Sequence, residues 1–552
     1  MSQIDLGNIR INWRGPYDTT TDYVRHDAVS HLGSSYIAKR PVSGITPAQG
    51  DDWDLMAAGT DQLTDEGDVL IHDGAIPARL ARGNNAQILQ MVGNKPAWRD
   101  QSLDPANRVW KLATVNYNGG WYTRMYLMAD GTIKALGIGS NGSNGNPIGS
   151  HIYSPSRVAA EDQDVRFVEV FTGSYNHYAL TADGEVWSWG LNNYGQLGHG
   201  DTATRSIAKR IDYFVDNDIQ IAKIVTNRPG FYDYGVVYFI TTDKRLYACG
   251  YNGQGNVGNG TTTNQTVPVR CGALENIADV RVSGLPYTVY AMEDSGAFWV
   301  WGYNNLGQLG LGDATNRTSP ILIPAIDDAV QILPINDYNT SGASPAGSGF
   351  VLRADGSIWS TGYNAQGQLG QGDVTNRSSF TQIPSSEVFT DIFAGSGRFG
   401  TVGAITDQQE AYLWGYNGYG QLGTGNTTNQ SSPFKPDGEF QGNVTRGRIG
   451  GGSSFHGTIL QSGNQLWGAG YNGIGNLGVG NASHPNVFSP VVGGNGVIED
   501  WNLYGQGTSA WGMCVLYDDG RVDACGSNAT YGETGTRTAN LHHIYKLTNV
   551  LF

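Results

Sequence analysis

The chain has 552 residues, of which 79 are glycine and only 15% are charged. This length exceeds one ordinary hydrophobic core, so we expect two or three domains whose surface polarity comes mainly from Asn, Ser, Thr, Gln and Tyr. The net charge of −15, without any Lys/Arg cluster, argues against nucleic acid and anionic membranes as partners.

Residues 1–60 combine many aromatic side chains with Gly, Pro and Asp turns, a pattern that predicts a small β domain with an aromatic core. The order Trp, Tyr, Asp-x-Val, Gly-x-x-Tyr and a late Trp resembles the small chitin-binding-type carbohydrate modules. That resemblance implies that exposed rings stack on sugars. By position the candidates are Trp13, Tyr17, Tyr23, Tyr36 and Trp53. The alternative is that most of these five residues belong to the core.

Residues 61–106 differ in character from the segment before them. Gly67-Asp68-Val69-Leu70, Pro77-Ala78-Arg79-Leu80 and Lys95-Pro96-Ala97-Trp98 resemble a segment common in phage and prophage tail fibres. One copy buries little apolar surface, so we expect intertwined chains, and the resemblance implies a trimeric shaft. The alternative is a plain linker between domains.

Residues 107–552 repeat one phrase eight times, most clearly as Trp189-Gly190-Leu191-Asn192-Asn193-Tyr194-Gly195-Gln196-Leu197-Gly198. The anchoring glycines fall 52 to 60 residues apart, a period that indicates an array of supersecondary units. They are Gly137, Gly190, Gly250, Gly302, Gly362, Gly415, Gly470 and Gly526. An asparagine follows two residues later in seven copies, and Asn and Gly at fixed offsets indicate tight turns.

The second copy shows why the array must close on itself. Asp183-Gly184 predicts a two-residue type I′ hairpin between the flanking strands. Strand alternation then puts Tyr178, Leu180, Trp187 and Trp189 on one face, and only small or β-branched residues on the other. Because neither face suits water, each sheet must be covered on both sides. Radial stacking achieves this, so we predict an all-β fold with a β-propeller, with eight blades favoured over seven.

The repeat resembles that of the regulator of chromosome condensation family, whose consensus contains "trp-gly-x-asn-x-x-gly-gln-leu-gly". The segments 302–310 and 362–370 match it closely, and the resemblance covers four fifths of the chain. The family is typically seven-bladed, whereas eight copies are present here. The nucleotide-exchange activity of its best-known member does not transfer on these residues.

Motifs for catalysis, cofactors or metals are missing from the sequence. There is no phosphate loop, nucleophile elbow or zinc-protease helix, so we expect no enzyme activity, no cofactor and no metal. The Asp-Gly pairs recur at the hairpin position and are interpreted as turn residues. His177 and His456 stand at similar places in their repeats, which favours packing. No apolar run approaches the ~18 residues of a membrane span, so we expect no membrane insertion.

Cys514 and Cys525 flank Asp519-Gly520, and a two-residue turn there would pair them directly across a hairpin within disulfide range. Free buried thiols are the favoured state for a chain made in a reducing cytoplasm.

The order of the three regions favours a phage tail fibre or receptor-binding protein. We therefore expect a virion component that is assembled in the host cytoplasm and acts extracellularly. Its expected partners are other tail or baseplate proteins at the N-terminal region and a host surface glycan or outer-membrane protein at the propeller, within a homotrimer. The alternatives are a bacterial surface adhesin or lectin, and a glycan depolymerase.

Five repeats place a tyrosine directly after the anchoring glycine, at Tyr251, Tyr303, Tyr363, Tyr416 and Tyr471. Blades one and two have Ile138 and Leu191 at this position, which favours a packing ring. The alternative is a crown of phenol groups that binds a glycan by stacking and hydrogen bonding.

Overall fold

The computed structural model describes residues 12–16, 22–23, 27–31, 34–38, 42–43, 46, 53–57, 69–72, 77–80, 87–92 and 95–100, and then 109–114, 123–139, 141–142, 144–145, 150–173, 175–226, 234–284, 287–338, 345–395, 400–451, 456–494, 496–504, 512–527 and 543–549. The chain divides into two units, residues 1–105 and 106–552. The predicted division of the first unit at residue 60 stays a prediction.

The described residues of the first unit form ten short strands. They are β1 (Asn12–Pro16), β2 (Asp22–Tyr23), β3 (Asp27–His31), β4 (Ser34–Ala38), β5 (Val42–Ser43), β6 (Trp53–Ala57), β7 (Val69–His72), β8 (Pro77–Leu80), β9 (Gln87–Val92) and β10 (Lys95–Asp100). One four-stranded sheet has the order β1-β3-β4-β6, with β1 parallel to β3 and the other pairs antiparallel. The remaining strands form the antiparallel pairs β2-β5, β7-β8 and β9-β10.

The second unit is a ring of eight four-stranded antiparallel sheets, each built from four consecutive strands. Blades one to four consist of β11 (Val109–Thr114), β12 (Thr123–Met128), β13 (Ile133–Gly139), β14 (Ser150–Arg157); β15 (Phe167–Thr172), β16 (Asn176–Thr181), β17 (Val186–Gly190), β18 (Arg205–Arg210); β19 (Ile221–Thr226), β20 (Val236–Thr241), β21 (Leu246–Gly250), β22 (Gln265–Arg270); and β23 (Ile277–Val282), β24 (Thr288–Glu293), β25 (Phe298–Gly302), β26 (Arg317–Leu322).

Blades five to eight consist of β27 (Ala329–Tyr338), β28 (Pro345–Arg353), β29 (Ile358–Gly362), β30 (Arg377–Gln382); β31 (Phe389–Ala394), β32 (Thr401–Thr406), β33 (Ala411–Gly415), β34 (Gln430–Phe434); β35 (Val444–Gly451), β36 (His456–Ser462), β37 (Gln465–Gly470), β38 (Ser489–Pro490); and β39 (Ile498–Tyr504), β40 (Gly512–Tyr517), β41 (Val522–Ser527), β42 (His543–Asn549). One short helix, α1 (Asp212–Asp216), lies between blades two and three.

Each blade is built from one continuous segment of the chain, so the ring closes without a blade that combines strands from the two ends of the propeller. The first strand of each blade contacts the first strand of the next, and β39 of blade eight contacts β11 of blade one. The first strand is therefore the inner strand, and the fourth is the outer strand. The prediction of an all-β, eight-bladed propeller is confirmed.

A belt of polar side chains connects the inner strands in pairs. At the third residue of each inner strand, blades one, three, five and seven carry Lys111, Lys223, Gln331 and Arg446, and the blades between them carry Glu169, Asp279, Asp391 and Asp500. Lys111 pairs with Glu169, while Lys223 Nζ lies 2.6 Å from Asp279 Oδ1. Gln331 Nε2 donates to Asp391 Oδ1 at 2.9 Å, and Arg446 Nη1 lies 2.6 Å from Asp500 Oδ1. This alternation requires an even number of blades. In a ring with an odd number of blades, two neighbouring inner strands would both carry a donor side chain or both carry a carboxylate.

The hairpin turns differ from the prediction of two-residue loops. Thr181 N donates to Glu185 O at 3.1 Å and Gly184 N donates to Thr181 O at 3.1 Å, so the loop has three residues, Ala182 to Gly184. Only Gly184 among them has a positive φ, +84°. This is a type I turn followed by a left-handed glycine, the common three-residue hairpin.

The extra loop residue shifts the register by one and exchanges the faces of the third strand. Tyr178 pairs with Ser188 and Ala179 with Trp187, so Tyr178 and the tryptophans lie on opposite faces. Tyr178 packs toward blade three, whereas Trp187 and Trp189 pack toward blade one. The predicted division into one bulky and one small face is therefore wrong, although both faces are covered as expected.

The same shift separates Cys514 from Cys525. Cys514 pairs with Ala524 and Met513 pairs with Cys525, so the two thiols point to opposite faces of the sheet. Cys514 packs against blade one and Cys525 packs against blade seven. All four cysteines are buried thiols outside any disulfide, and burial raises the pKa of Cys514 and Cys525.

We predict that a thiol reagent will detect no fast-reacting cysteine in the folded protein and four after unfolding without reductant. Burial disfavours the thiolate form of each cysteine, and the thiolate is the species that reacts. Detection of only two thiols in the unfolded, unreduced chain would contradict the observed hairpin register.

Candidate functional site

The propeller has two chemically different ends. The turn face is formed by the hairpins between second and third strands together with the connections from each outer strand to the next inner strand. The motif face is formed by the loops of the repeated phrase, between third and outer strands, together with the connections from inner to second strands. Phe167 N of blade two donates to Gly131 O in the hairpin of blade one at 2.8 Å, so inner strands begin at the turn face.

A buried asparagine organises each motif loop. Asn192 Oδ1 accepts from Leu197 N at 2.9 Å, and Asn192 Nδ2 donates to Asp201 O at 3.0 Å. The same bond to the backbone N–H five residues on recurs in the next five blades, and all six side chains have no exposed area. They are Asn192, Asn252, Asn304, Asn364, Asn417 and Asn472. These side chains replace the strand partners that the loop backbone lacks.

A second asparagine, which lies outside the repeated phrase and was not predicted from it, closes four of these loops. Asn316 Oδ1 accepts from Asn304 N at 2.8 Å, and Asn316 Nδ2 donates to Gln254 Oε1 of the preceding blade at 2.9 Å. The equivalent residues Asn264, Asn376 and Asn429 make the same loop bond. The available signal was the Thr-Asn pair that recurs with its asparagine twelve residues after the motif asparagine.

Tryptophans join neighbouring blades through the motif loops. Trp301 Nε1 of blade four donates to Asn256 O in the loop of blade three at 2.8 Å. Trp414 Nε1 of blade six donates to Gln368 O of blade five at 2.8 Å. A Cβ at Gly258 would lie 2.8 Å from the Trp301 indole nitrogen, so the repeated glycine is required for this close approach.

The five motif tyrosines are placed on their own loops rather than on a projecting crown. Tyr303 is buried, and Tyr251, Tyr363, Tyr416 and Tyr471 are half-buried. A Cβ at Gly253 would lie 2.2 Å from the Tyr251 hydroxyl, which shows that this ring lies across the loop. The same arrangement occurs for Tyr416 over Gly418 and for Tyr471 over Gly473.

Among these tyrosines, Tyr251 joins an aromatic cluster that spans blades two to four. Its ring stacks on Tyr234 with centroids 4.6 Å apart and meets Tyr194 and Tyr287 at 5.4 and 5.3 Å. Burial raises the pKa of Tyr251, Tyr303, Tyr416 and Tyr471. This geometry supports the packing interpretation, and glycan binding by the ring stays a prediction.

The N-terminal candidates fall on separate strands of the first unit. Trp13 lies on β1, Tyr23 on β2, Tyr36 on β4 and Trp53 on β6. Tyr17 lies outside the described residues. Trp53 is paired with Ala38, and Tyr36 with Leu55, so β4 and β6 bring two of the five onto neighbouring strands.

Charge is concentrated on the turn face. Its hairpins and connections, from residue 129 to residue 521, contain 22 Asp and Glu but only five Lys and Arg. Asp164, Asp216, Glu275, Asp327 and Asp407 are among those exposed to solvent. The motif loops of blades two to seven contain only Asp201, Asp313 and Asp373, each paired with the arginine four residues on. The turn face is therefore strongly acidic, and the described motif loops are nearly neutral.

The described residues contain neither a ligand cluster for a metal ion nor a membrane-spanning helix. No group of three or more His, Cys, Asp or Glu side chains there could hold a metal ion. The Asp-Gly aspartates act as turn residues: Asp355 Oδ1 accepts from Ser357 N at 2.8 Å and Asp519 Oδ1 accepts from Arg521 N at 2.9 Å. Within the described part of the chain, no helix is long and apolar enough to cross a bilayer.

His177 is a buried residue next to Trp189, with ring centroids 5.6 Å apart. Burial lowers its pKa to about 3. The register separates it from His456 by two positions, since Asn176 pairs with Gly190 whereas Gly457 pairs with Gly470. The predicted equivalence of the two histidines is wrong, but His177 packs as expected.

The repeats match the family model "Regulator of chromosome condensation (RCC1) repeat" at residues 183–225, 295–333, 355–398 and 409–455. A second model of the same repeat matches residues 167–196. The chain is 27% identical over 317 residues to the Ultraviolet-B receptor UVR8 of Arabidopsis thaliana, covering 57% of this chain and 68% of the relative. It is 26% identical over 320 residues to the mitochondrial RCC1 domain-containing protein RUG3 of the same plant, covering 57% and 67%.

The similarity to the mouse E3 ubiquitin-protein ligase HERC2 is 27% over 256 residues, which is 45% of this chain but only 5% of that protein. Among solved structures, yeast RCC1 (Prp20) bound to Kap60 superposes with a TM-score of 0.51 at 15% identity, covering 78% of this chain and 98% of that chain. This structural likeness shows the fold. At the matched residues the sequence is similar to RCC1 repeats.

These relatives correct the functional prediction. They are eukaryotic RCC1-repeat proteins, so the assignment as a phage tail fibre or as one of its adhesive alternatives is wrong. The virion location and the tail, baseplate and host-surface partners depended on that assignment and are wrong with it, and the comparisons do not show the homotrimer. The family matches begin at residue 167, so the chitin-binding resemblance of the first 60 residues has no support from them.

We predict that Asn192→Ala lowers the free energy of unfolding by about 3 kcal/mol, because it leaves a buried backbone N–H and a carbonyl without partners. Thermal and urea unfolding will measure the loss. Asn193→Ala is the matched control, since its exposed neighbouring side chain should change stability by less than about 0.5 kcal/mol. Equal effects of the two substitutions would contradict the role given to the buried amide.

A second prediction concerns pH. His177 stays neutral in the folded protein down to about pH 3, whereas the unfolded chain takes up a proton below about pH 6.5. Its burial therefore costs stability increasingly as the pH falls through this window. Replacing it by leucine should reduce the stability lost between pH 7 and pH 5 by about 2 kcal/mol. His484→Leu, at an exposed position, is the control. An unchanged pH dependence in His177→Leu would contradict the prediction.

Proposed function

We propose that this RCC1-repeat propeller is a non-enzymatic recognition scaffold whose turn face binds a basic protein partner. The observation that carries the proposal is the uneven charge of the two ends, with 22 acidic against five basic residues in the hairpins and connections of the turn face. The closed ring of sheets presents these charges together on one face.

Electrostatics favours one class of partner for this face. A surface with a large excess of one sign attracts oppositely charged molecules and raises their rate of association. Nucleic acid and anionic lipid are repelled by the same field. A protein segment rich in Lys and Arg is the complementary ligand, and its binding should weaken as salt concentration rises.

Most of the basic residues on the turn face are already engaged locally. Lys244 lies 2.5 Å from Asp294, Arg245 lies 2.6 Å from Asp243, and Lys435 lies 2.6 Å from Glu410. Several other turn-face carboxylates pair with Lys209, Arg210 or Arg353 of the strands. Asp164, Asp216 and Glu275 have no ion pair with a described side chain. These groups are the part of the surface that a basic partner would neutralise.

A solved structure with the same fold also supports a role in protein binding, because it contains yeast RCC1 in complex with Kap60. The complex is a property of that protein, and the likeness to this chain is one of fold. The proposal therefore depends on the charges of this chain and takes from the neighbour only that such a propeller can serve as a protein-binding module.

We predict that Asp164→Asn, Asp216→Asn and Glu275→Gln together weaken binding of a fluorescent Lys/Arg-rich peptide to the full chain by about fivefold at low salt. Loss of three uncompensated charges reduces the local attraction. Fluorescence anisotropy at low and high salt will measure it.

The matched control is Asn193→Lys, Ala365→Lys and Thr427→Lys, which changes the net charge equally but at exposed positions of the motif face. It should alter the affinity by less than about twofold, because those sites are screened from the turn face. Equal weakening by both triple variants would show that only net charge matters and would contradict a binding face. Failure of the unmodified protein to bind the peptide would overturn the proposal.

A further inference from the structure

Every inner strand carries a β-bulge at its second residue. In blade two, Phe167 pairs with Thr181 and Glu169 pairs with Leu180, so Val168 has no partner on the neighbouring strand. The same two-against-one register occurs in all eight blades. A bulge redirects the side chain of the extra residue.

The redirected side chains are apolar in five consecutive blades. Trp110, Val168 and Val330 are 58%, 48% and 50% exposed, and Ala222 and Ala278 stand between them in the ring. Blades six to eight carry Thr390, Thr445 and Glu499 at the same position. The five apolar residues from Trp110 to Val330 are called the apolar arc.

The apolar arc lies at the centre of the turn face. Each inner strand begins against the hairpin of the preceding blade, as in the 3.0 Å bond from Ala329 N to Gly296 O. The bulge residue follows immediately, and successive inner strands contact each other around the ring. The exposed side chains of Trp110, Val168 and Val330 thus lie along part of the inner edge of a face whose outer part is acidic.

We infer that the apolar arc anchors an apolar side chain of the basic partner, and this inference rests on the proposed function. The occupant is a protein segment that presents one or two large aliphatic or aromatic residues between Lys and Arg. Charge complementarity selects this occupant, because the acidic surroundings admit apolar groups only from molecules whose flanking charges are positive. Burial of Val168 and Val330 supplies affinity that salt does not screen.

The test uses two Lys/Arg-rich peptides of equal length and charge, one with a central pair of leucines and the other with a pair of serines. The full chain should bind the leucine peptide about tenfold more tightly, and the difference should persist at high salt. Val168→Thr with Val330→Thr, which preserves side-chain shape, should reduce the preference to about twofold. Val374→Thr with Val487→Thr, at exposed valines of the motif loops, should leave it at about tenfold.

The outcomes separate the two proposals. Equal binding of both peptides by the unmodified chain, or an undiminished preference in the Val168/Val330 variant with an unchanged melting temperature, would overturn the apolar anchor and leave the acidic face standing. Absence of binding to either peptide would overturn both.

Discussion

The buried asparagine of each motif loop is the interaction on which the rest of the propeller depends. A loop of about fourteen residues connects the third strand to the outer strand in the clearest blades, and its backbone has few strand partners. The Asn192 amide and its equivalents supply acceptors and donors at fixed offsets, so each loop adopts one conformation. That conformation holds the carbonyl to which Trp301 or Trp414 of the next blade donates, and in this way a local turn becomes a joint between blades.

The side chains that satisfy the loop backbone also explain why the two faces differ in charge. The motif loops use Asn, Gly, Thr and Gln because they need neutral groups that both donate and accept within a small space. The hairpins on the other face need an acceptor for a single backbone N–H, and aspartates such as Asp130, Asp355 and Asp519 provide it. Repetition of this choice around the ring, together with acidic connections such as 211–220, accumulates negative charge on the turn face alone. A local turn preference thereby produces a surface with a long-range field.

The repeat period, the propeller and the blade count could be predicted from sequence, because eight copies of one phrase fix the number of supersecondary units. The faces of the strands could not be predicted, because Asp183-Gly184 is compatible with a two-residue or a three-residue loop. One extra loop residue places Trp187 on the other face of its sheet, and the same change in blade eight separates Cys514 from Cys525. The acidic face and the apolar arc also could not be predicted from the sequence. Val168 and Val330 look like ordinary strand residues until the register shows a bulge. The functional prediction failed for another reason: it depended on two short resemblances within residues 1–106, whereas the family matches fall within residues 167–455.

Hydrogen–deuterium exchange of the full chain, with and without a Lys/Arg-rich peptide containing leucine, tests the central claim most directly. We predict slower exchange in the turn-face connections 158–166 and 211–220 and at the starts of inner strands β15 and β27, with no change in the motif loops 251–264 and 303–316. Protection confined to those motif loops would contradict it, because the neutral face would then be the binding surface.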